Sequence, residues 1–110
     1  TVQEMEKLIQ EKASENNCTI VLKGPETIVC SPSKSTVVKG GNAGLTKGGT
    51  GDVLAGLTVA LFAKNDAHLS ACAASFVEKY AADELYKIVG TSYNADDLTN
   101  ILPKVLKNLR

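Results

Sequence analysis

The sequence predicts an α/β chain, a small sheet of short strands laid against about four helices. Three observations carry this expectation. Between Thr19 and Val38, β-branched and apolar runs are cut by turn residues. On either side of that block, apolar residues recur at helical spacing. A glycine-rich stretch, Gly40-Gly41-Asn42-Ala43-Gly44-Leu45-Thr46-Lys47-Gly48-Gly49-Thr50-Gly51-Asp52, links strands to helices and holds six of the nine glycines.

Thr1 with Glu4 three residues on has the pattern of a capping box. Val2, Met5, Leu8, Ile9 and Ala13 follow at helical spacing, with charged residues between them, so a packing helix is expected to about Glu15. Asn16-Asn17 ends it. Cys18–Leu22 reads as a buried strand, and Lys23-Gly24-Pro25-Glu26 as the turn after it. Thr27–Cys30 and Ser35–Val38 read as two more strands, separated by Ser31-Pro32-Ser33. Connections this short favour antiparallel hairpins, so the block is expected to form one edge of a larger sheet.

Val53 to Lys64 is apolar nearly all round and is expected to be the core helix. Gly56 in its interior costs about 1 kcal/mol relative to Ala, which points to a close helix contact there. Asn65-Asp66 caps a long helix from Ala67 to about Val89. Its expected inward stripe is Leu69, Cys72, Ala73, Phe76, Val77, Tyr80, Ala81, Leu85 and Ile88. His68, in its first turn, is expected at the surface with no catalytic role. Ala95-Asp96-Asp97 opens a terminal helix with Leu98, Ile101, Leu102, Val105, Leu106 and Leu109 inward. Pro103 predicts a kink, or a restart near Asn100. The Asp96/Asp97 pair complements the helix dipole rather than forming a metal site.

At 110 residues the chain is at most one small domain, with a 44% apolar content sufficient for a core. Twelve basic and twelve acidic residues cancel, so no general field draws nucleic acid or a membrane, and any anion site is local. The longest apolar run, Val53–Ala63, is too short to span a bilayer. The chain opens on a charged amphipathic segment rather than a signal peptide. Cys18, Cys30 and Cys72 include no Cys-x-x-Cys pair, which fits a reducing cytoplasmic setting, and a lone histidine argues against structural zinc.

The chemistry points to the glycine stretch. A flexible loop running into a helix start can bring backbone N–H groups onto an anion, with the helix dipole adding to the attraction. Gly49, Thr50 and Gly51 are the candidate anion hole, and Asp52 a base beside it. The same residues also fit a tight connection in which Asp52 only complements the dipole. The stretch lacks the Gly-Lys-Ser/Thr ending of a P-loop and the full dinucleotide fingerprint. Lys23 lies at a strand end, where open α/β sheets bind ligands, although a lone lysine there is commonly only solvated.

Asn42-Ala43-Gly44, Thr46-Lys47-Gly48-Gly49-Thr50-Gly51-Asp52-Val53-Leu54-Ala55-Gly56 and, upstream, Val21-Leu22-Lys23-Gly24-Pro25-Glu26-Thr27 resemble the signatures of ribokinase-like proteins. Within that superfamily they are most similar to the NAD(P)H-hydrate dehydratases. The resemblance runs from about Thr19 to Ala82. It implies a three-layer α/β/α fold of which residues 1–110 are the C-terminal portion, the early strands lying elsewhere. It implies phosphoryl transfer from ADP or ATP, with Mg2+, to the hydroxyl of hydrated NADH or NADPH, followed by loss of phosphate. The Gly-Thr-Gly-Asp form tilts the donor toward ADP. By resemblance Asp52 is the base and, with Asn42, binds the hydrate. Gly49, Thr50 and Gly51 stabilise developing charge. The nucleotide is held by Lys23, Gly24, Pro25, Glu26 and Thr27 and by Asn42, Ala43, Gly44, Leu45, Thr46, Lys47, Gly48, Gly49, Thr50 and Gly51. No metal-ligand set is expected in these residues. A homo-oligomer, or pairing with the missing N-terminal portion, would complete the site. Two other readings stay open, a ribokinase-like kinase acting on a sugar or vitamin precursor and a non-catalytic nucleotide-binding subunit.

Overall fold

The computed structural model describes all residues from Thr1 to Arg110. The elements run α1 (Val2–Asn16), β1 (Ile20–Leu22), β2 (Thr27–Ser31), β3 (Lys34–Val38), a short 3₁₀ helix (Ala43–Thr46), α2 (Thr50–Phe62), α3 (Ala67–Val89) and α4 (Ala95–Asn108). The three strands form one antiparallel sheet in the order β1-β2-β3. Val21 lies opposite Val29, and Val29 opposite Thr36. β1 is shorter than predicted, beginning at Ile20 instead of Cys18.

α1 starts as its capping box requires, with the Thr1 hydroxyl accepting from the Glu4 N–H at 3.1 Å. Asn17 stops it in a left-handed conformation at φ 48°. Two helical layers sandwich the sheet. On one face Ile28 and Cys30 pack with Ala13 of α1 and its neighbours Val2 and Ile9. Strand alternation sends Val29 and Thr36 to the other face, under α3. Thr27 to Cys30 are therefore buried on both sides, unlike a strand with one wet face. The larger core joins Val77, Ala81, Ala82 and Leu85 of α3 to Tyr93 and to Leu98 and Val105 of α4.

Several expectations are corrected. Among residues 1–110 it is α3 that buries most, ten residues, whereas α2, the helix expected to be the core, buries only Thr50 and Leu54 within them. Only one side of α2 meets the rest of the chain. Val59 and Phe62 are 70% and 58% exposed, and a Cβ at Gly56 would meet open space, so Gly56 marks no helix contact here. The inward face of α3 is also rotated from its predicted stripe. Val77, Ala81 and Leu85 of that stripe are buried, but Leu69, Phe76 and Ile88 are exposed, while Ser70, Ala71, Ala74, Ser75 and Ala82 beside it are buried. Small side chains mark the face where neighbouring backbones come close, and the large apolar positions misplaced it. Leu106 and Leu109, also expected inward, are exposed at the end of the chain.

His68 is not simply on the surface. Its Nδ1 and Nε2 each lie 2.8 Å from a hydroxyl, those of Ser31 and Thr36, so the first turn of α3 is pinned across β2 and β3. The packing of α3 on the sheet places this position over the strands. The restart predicted near Asn100 does not occur, for α4 runs through Pro103. Thr99 and Pro103 are both exposed, so the carbonyl that proline leaves without a helical donor lies in an exposed stretch of the helix. α4 begins with a second capping box, Asn94 and Asp97 bonding reciprocally at 2.9 and 3.0 Å.

Candidate functional site

The glycine stretch leaves β3, forms the 3₁₀ helix and enters α2 at Gly49, whose φ is 92°. A Cβ there would stand 2.9 Å from that of Ala95, so position 49 needs glycine for both conformation and space. Thr50 fixes the loop from within. It is buried, and its hydroxyl bonds the carbonyls of Leu45 and Lys47 at 2.7 and 3.0 Å. The N–H groups of Gly48, Gly49, Thr50 and Gly51 donate to no protein acceptor at ordinary hydrogen-bond geometry. They stand free at the positive end of α2.

These groups border a cavity of about 790 Å³, within the usual range for small-molecule sites. One wall is the turn after β1, with Lys23, Gly24 and Pro25, continued by Thr27 at the start of β2. A second is the loop from Gly40 to Gly51, Gly44 excepted. The floor comes from Leu54 of α2 and from Ser75, Glu78 and Lys79 of α3. The Lys23 ammonium stands 3.5 Å from where a Gly51 Cβ would be, beside the free N–H groups. Of the residues singled out from the sequence, Glu26, Gly44 and Asp52 do not line the cavity. Asp52 is exposed in the first turn of α2, directly after Gly51, and its carboxylate has no protein partner.

Two predicted ligand residues are committed inside the protein. The Asn42 amide donates to the Ala82 carbonyl and to Asp83 Oδ1, and it accepts from Gly44 N–H and from the Tyr93 hydroxyl. Its four bonding positions are filled, so it holds the loop against α3. The Lys47 ammonium donates to the carbonyls of Thr91 and Tyr93 and sits 4.9 Å from the centre of the Tyr93 ring.

Sequence reasoning missed the contribution of α3. Lys79, 6% exposed, donates from Nζ to the carbonyls of Gly24, Pro25 and Gly40, each at 3.1 Å. One side chain thus ties both walls of the cavity together. Burial pushes its pKa down, while Glu78 and Asp83 support the charge. Glu78 is 3% exposed, and its Oε2 has no hydrogen-bond partner. Burial pushes its carboxyl above the usual range, and Lys23 and Lys79 pull the other way. The signal available in the sequence was a Glu-Lys pair one turn after Ala74-Ser75, at the end of the uncharged stretch from Leu69 to Val77.

An antiparallel sheet between helical layers, with a glycine loop opening the helix beside a cavity, defines a ribokinase-like chain. A ribokinase-like superfamily protein from Enterococcus faecalis superposes with a TM-score of 0.79 at 28% identity, over 90% of this chain and 35% of that one. More narrowly, residues 2–104 match the family described as NAD(P)H-hydrate dehydratase, and the chain belongs to that family. A bifunctional NAD(P)H-hydrate repair enzyme of Methanocaldococcus jannaschii is 55% identical over 89 residues, which is 81% of this chain and 18% of that protein. An ADP-dependent (S)-NAD(P)H-hydrate dehydratase of Cenarchaeum symbiosum is 34% identical across 91% of this chain and 35% of its own length. The Bacillus subtilis ADP/ATP-dependent NAD(P)H-hydrate dehydratase, co-crystallised with ATP/Mg2+, superposes with a TM-score of 0.87 at 27% identity, over 98% of this chain and 40% of that one. The chain thus spans well under half the length of these relatives. No helix in it is long and apolar enough to cross a membrane.

Proposed function

We propose that this chain forms the nucleotide-holding part of an ADP- or ATP-dependent dehydratase that returns (S)-NAD(P)H-hydrate to NAD(P)H. One observation carries the reading, the set of free N–H groups from Gly48 to Gly51 beside Lys23 at the mouth of a nucleotide-sized cavity. These groups hold the phosphates and neutralise charge as the terminal phosphoryl group moves. Asp52, unpaired and adjacent to Gly51, takes the proton of the attacking hydroxyl. The phosphate ester formed on the hydroxyl oxygen then leaves as phosphate, a proton is lost from the adjacent ring carbon, and the double bond of the reduced ring is restored. Asn42 acts by positioning the loop, since its amide is already saturated. The chain offers no group of three or more His, Cys, Asp or Glu side chains placed to hold a metal ion, so Mg2+ enters this reading on the nucleotide phosphates.

The test is Asp52→Asn in the protein assembled with whatever completes its site. Nucleotide affinity stays within about twofold, and turnover falls by a hundredfold or more, in the range expected for loss of a general base. Near-normal turnover would reduce Asp52 to a dipole partner. Release of free phosphate together with recovered reduced nicotinamide separates this activity from that of a small-molecule kinase. A phosphorylated product that persists points to the kinase.

A further inference from the structure

The cavity is lined by groups of two different chemistries. At the loop, N–H groups and Lys23 present positive character. On the α3 side, Glu78 presents a carboxyl that nothing in the protein uses. Its Oε2 is wholly buried and unpartnered, the one such side-chain atom in the chain. Buried polar groups are ordinarily hydrogen-bonded, and an acceptor left without a donor destabilises the fold. Neither nearby cation supplies one. Lys79 donates to three carbonyls, and Lys23 forms no ion pair. The place of Glu78 in the cavity lining connects this orphan to a ligand.

We propose that Glu78 is the specificity-determining residue of the cavity, its carboxyl accepting a hydrogen bond from a neutral N–H or O–H donor on the nucleoside part of the bound nucleotide. This inference rests on the nucleotide reading above and deepens it. The donor belongs to the nucleoside because phosphate oxygens carry no proton to give and repel a carboxylate. Phosphate has its own place at the loop, and the cavity is far larger than a phosphate needs. Leu54, only 8% exposed, and the half of α3 bearing Ser75 and Glu78 form a floor with an apolar part and one strong acceptor. A base or a ribose has complementary chemistry, an apolar face and a few donors at its edge. The carbonyl oxygen of a carboxyl accepts in either protonation state, so the contact survives the upward push that burial gives Glu78.

The experiment measures equilibrium binding of ADP, IDP, 2′-deoxy-ADP and 3′-deoxy-ADP to the wild-type protein assembled with whatever completes its site, and to its Glu78→Met and Glu78→Gln variants. IDP lacks the amino group of the base, and each deoxy analogue lacks one ribose hydroxyl. The wild type is expected to bind one analogue about tenfold or more weakly than ADP, which identifies the donor. Glu78→Met fills a similar volume without an acceptor and should erase that preference. Glu78→Gln keeps an acceptor and should retain most of it. Equal affinity of the wild type for all four nucleotides overturns the inference, as does a preference that survives in Glu78→Met. If Glu78→Met does not fold, the wild-type comparison still decides against the inference when it shows no preference, and Glu78→Ala then takes its place. No ADP binding by the wild type is a different result, which removes the nucleotide reading itself.

Discussion

Lys79→Met tests whether one buried ammonium holds the cavity together. The side chain is 6% exposed and makes three hydrogen bonds of 3.1 Å, to carbonyls in two separate segments. A bond to a charged group contributes about 1.5–3 kcal/mol when its partner stays buried. Gly24, Pro25 and Gly40 are exposed, so their freed carbonyls recover water, and about 1 kcal/mol per bond is the better figure here. Against this stands the cost of burying the ammonium, visible as the lowered pKa of Lys79. Methionine is close in volume, so no large cavity is added to the loss. The net destabilisation is about 2–3 kcal/mol, which for a domain of this size lowers the melting midpoint by roughly 10–20 °C. Urea unfolding followed by circular dichroism reads it as a lower midpoint at unchanged slope. ADP affinity falls as well, because the turn after β1 and the Gly40 loop no longer hold a common geometry. An unchanged midpoint together with unchanged ADP affinity would refute the clamp.

Other outcomes follow from particular contacts. Gly44→Ala places a Cβ 2.4 Å from the ring and hydroxyl of Tyr93, which is 3% exposed and bonds Asn42 at 2.6 Å. The ring must shift, and overpacking with loss of that bond is expected to destabilise by about 2–4 kcal/mol in thermal or urea unfolding, so a change below 0.5 kcal/mol would show that the loop yields freely. Glu78 makes stability pH-dependent with a definite sign. Its folded pKa is raised by burial, against the opposing pull of Lys23 and Lys79, so the unfolded carboxyl loses its proton first. Its contribution is therefore most favourable below the unfolded value of 4.5 and declines as pH rises from there through the folded pKa. Glu78→Met should flatten that part of the stability profile, and an identical profile in the variant would contradict the assignment. Finally, the isolated 110 residues are expected to bind ADP weakly and to leave hydrated NADH unconverted in the presence of ADP or ATP and Mg2+, since phosphoryl transfer depends on positioning by all walls of a site. Recovery of reduced-nicotinamide absorbance at a rate comparable to the Bacillus subtilis relative would show that these residues carry a complete site.

Local chemistry made much of this chain legible in its sequence. Thr1 with Glu4 marks the start of α1, and Asp66 and Gly90 bound α3, because capping depends on residues a few positions apart. Three short strands with tight connections give the antiparallel order directly, since so few linking residues allow no crossover. The loop from Gly40 to Gly51 was visible for the same reason, as its glycines answer to their own conformations and close neighbours. Tertiary structure alone decided which helix is the core. α2 is the most apolar segment, yet nothing within residues 1–110 covers Val59 and Phe62, because burial depends on what packs against a face and not on its composition. Tertiary structure also decided that Asn42 and Lys47 spend their hydrogen bonds on Asp83, Tyr93 and Thr91. It brought Glu78 and Lys79 under a loop nearly forty residues earlier in the chain. Contacts across such a separation leave no periodic trace in the sequence. They exist only once α3 has docked on the sheet, which is why the polar floor of the site could be seen only in the folded chain.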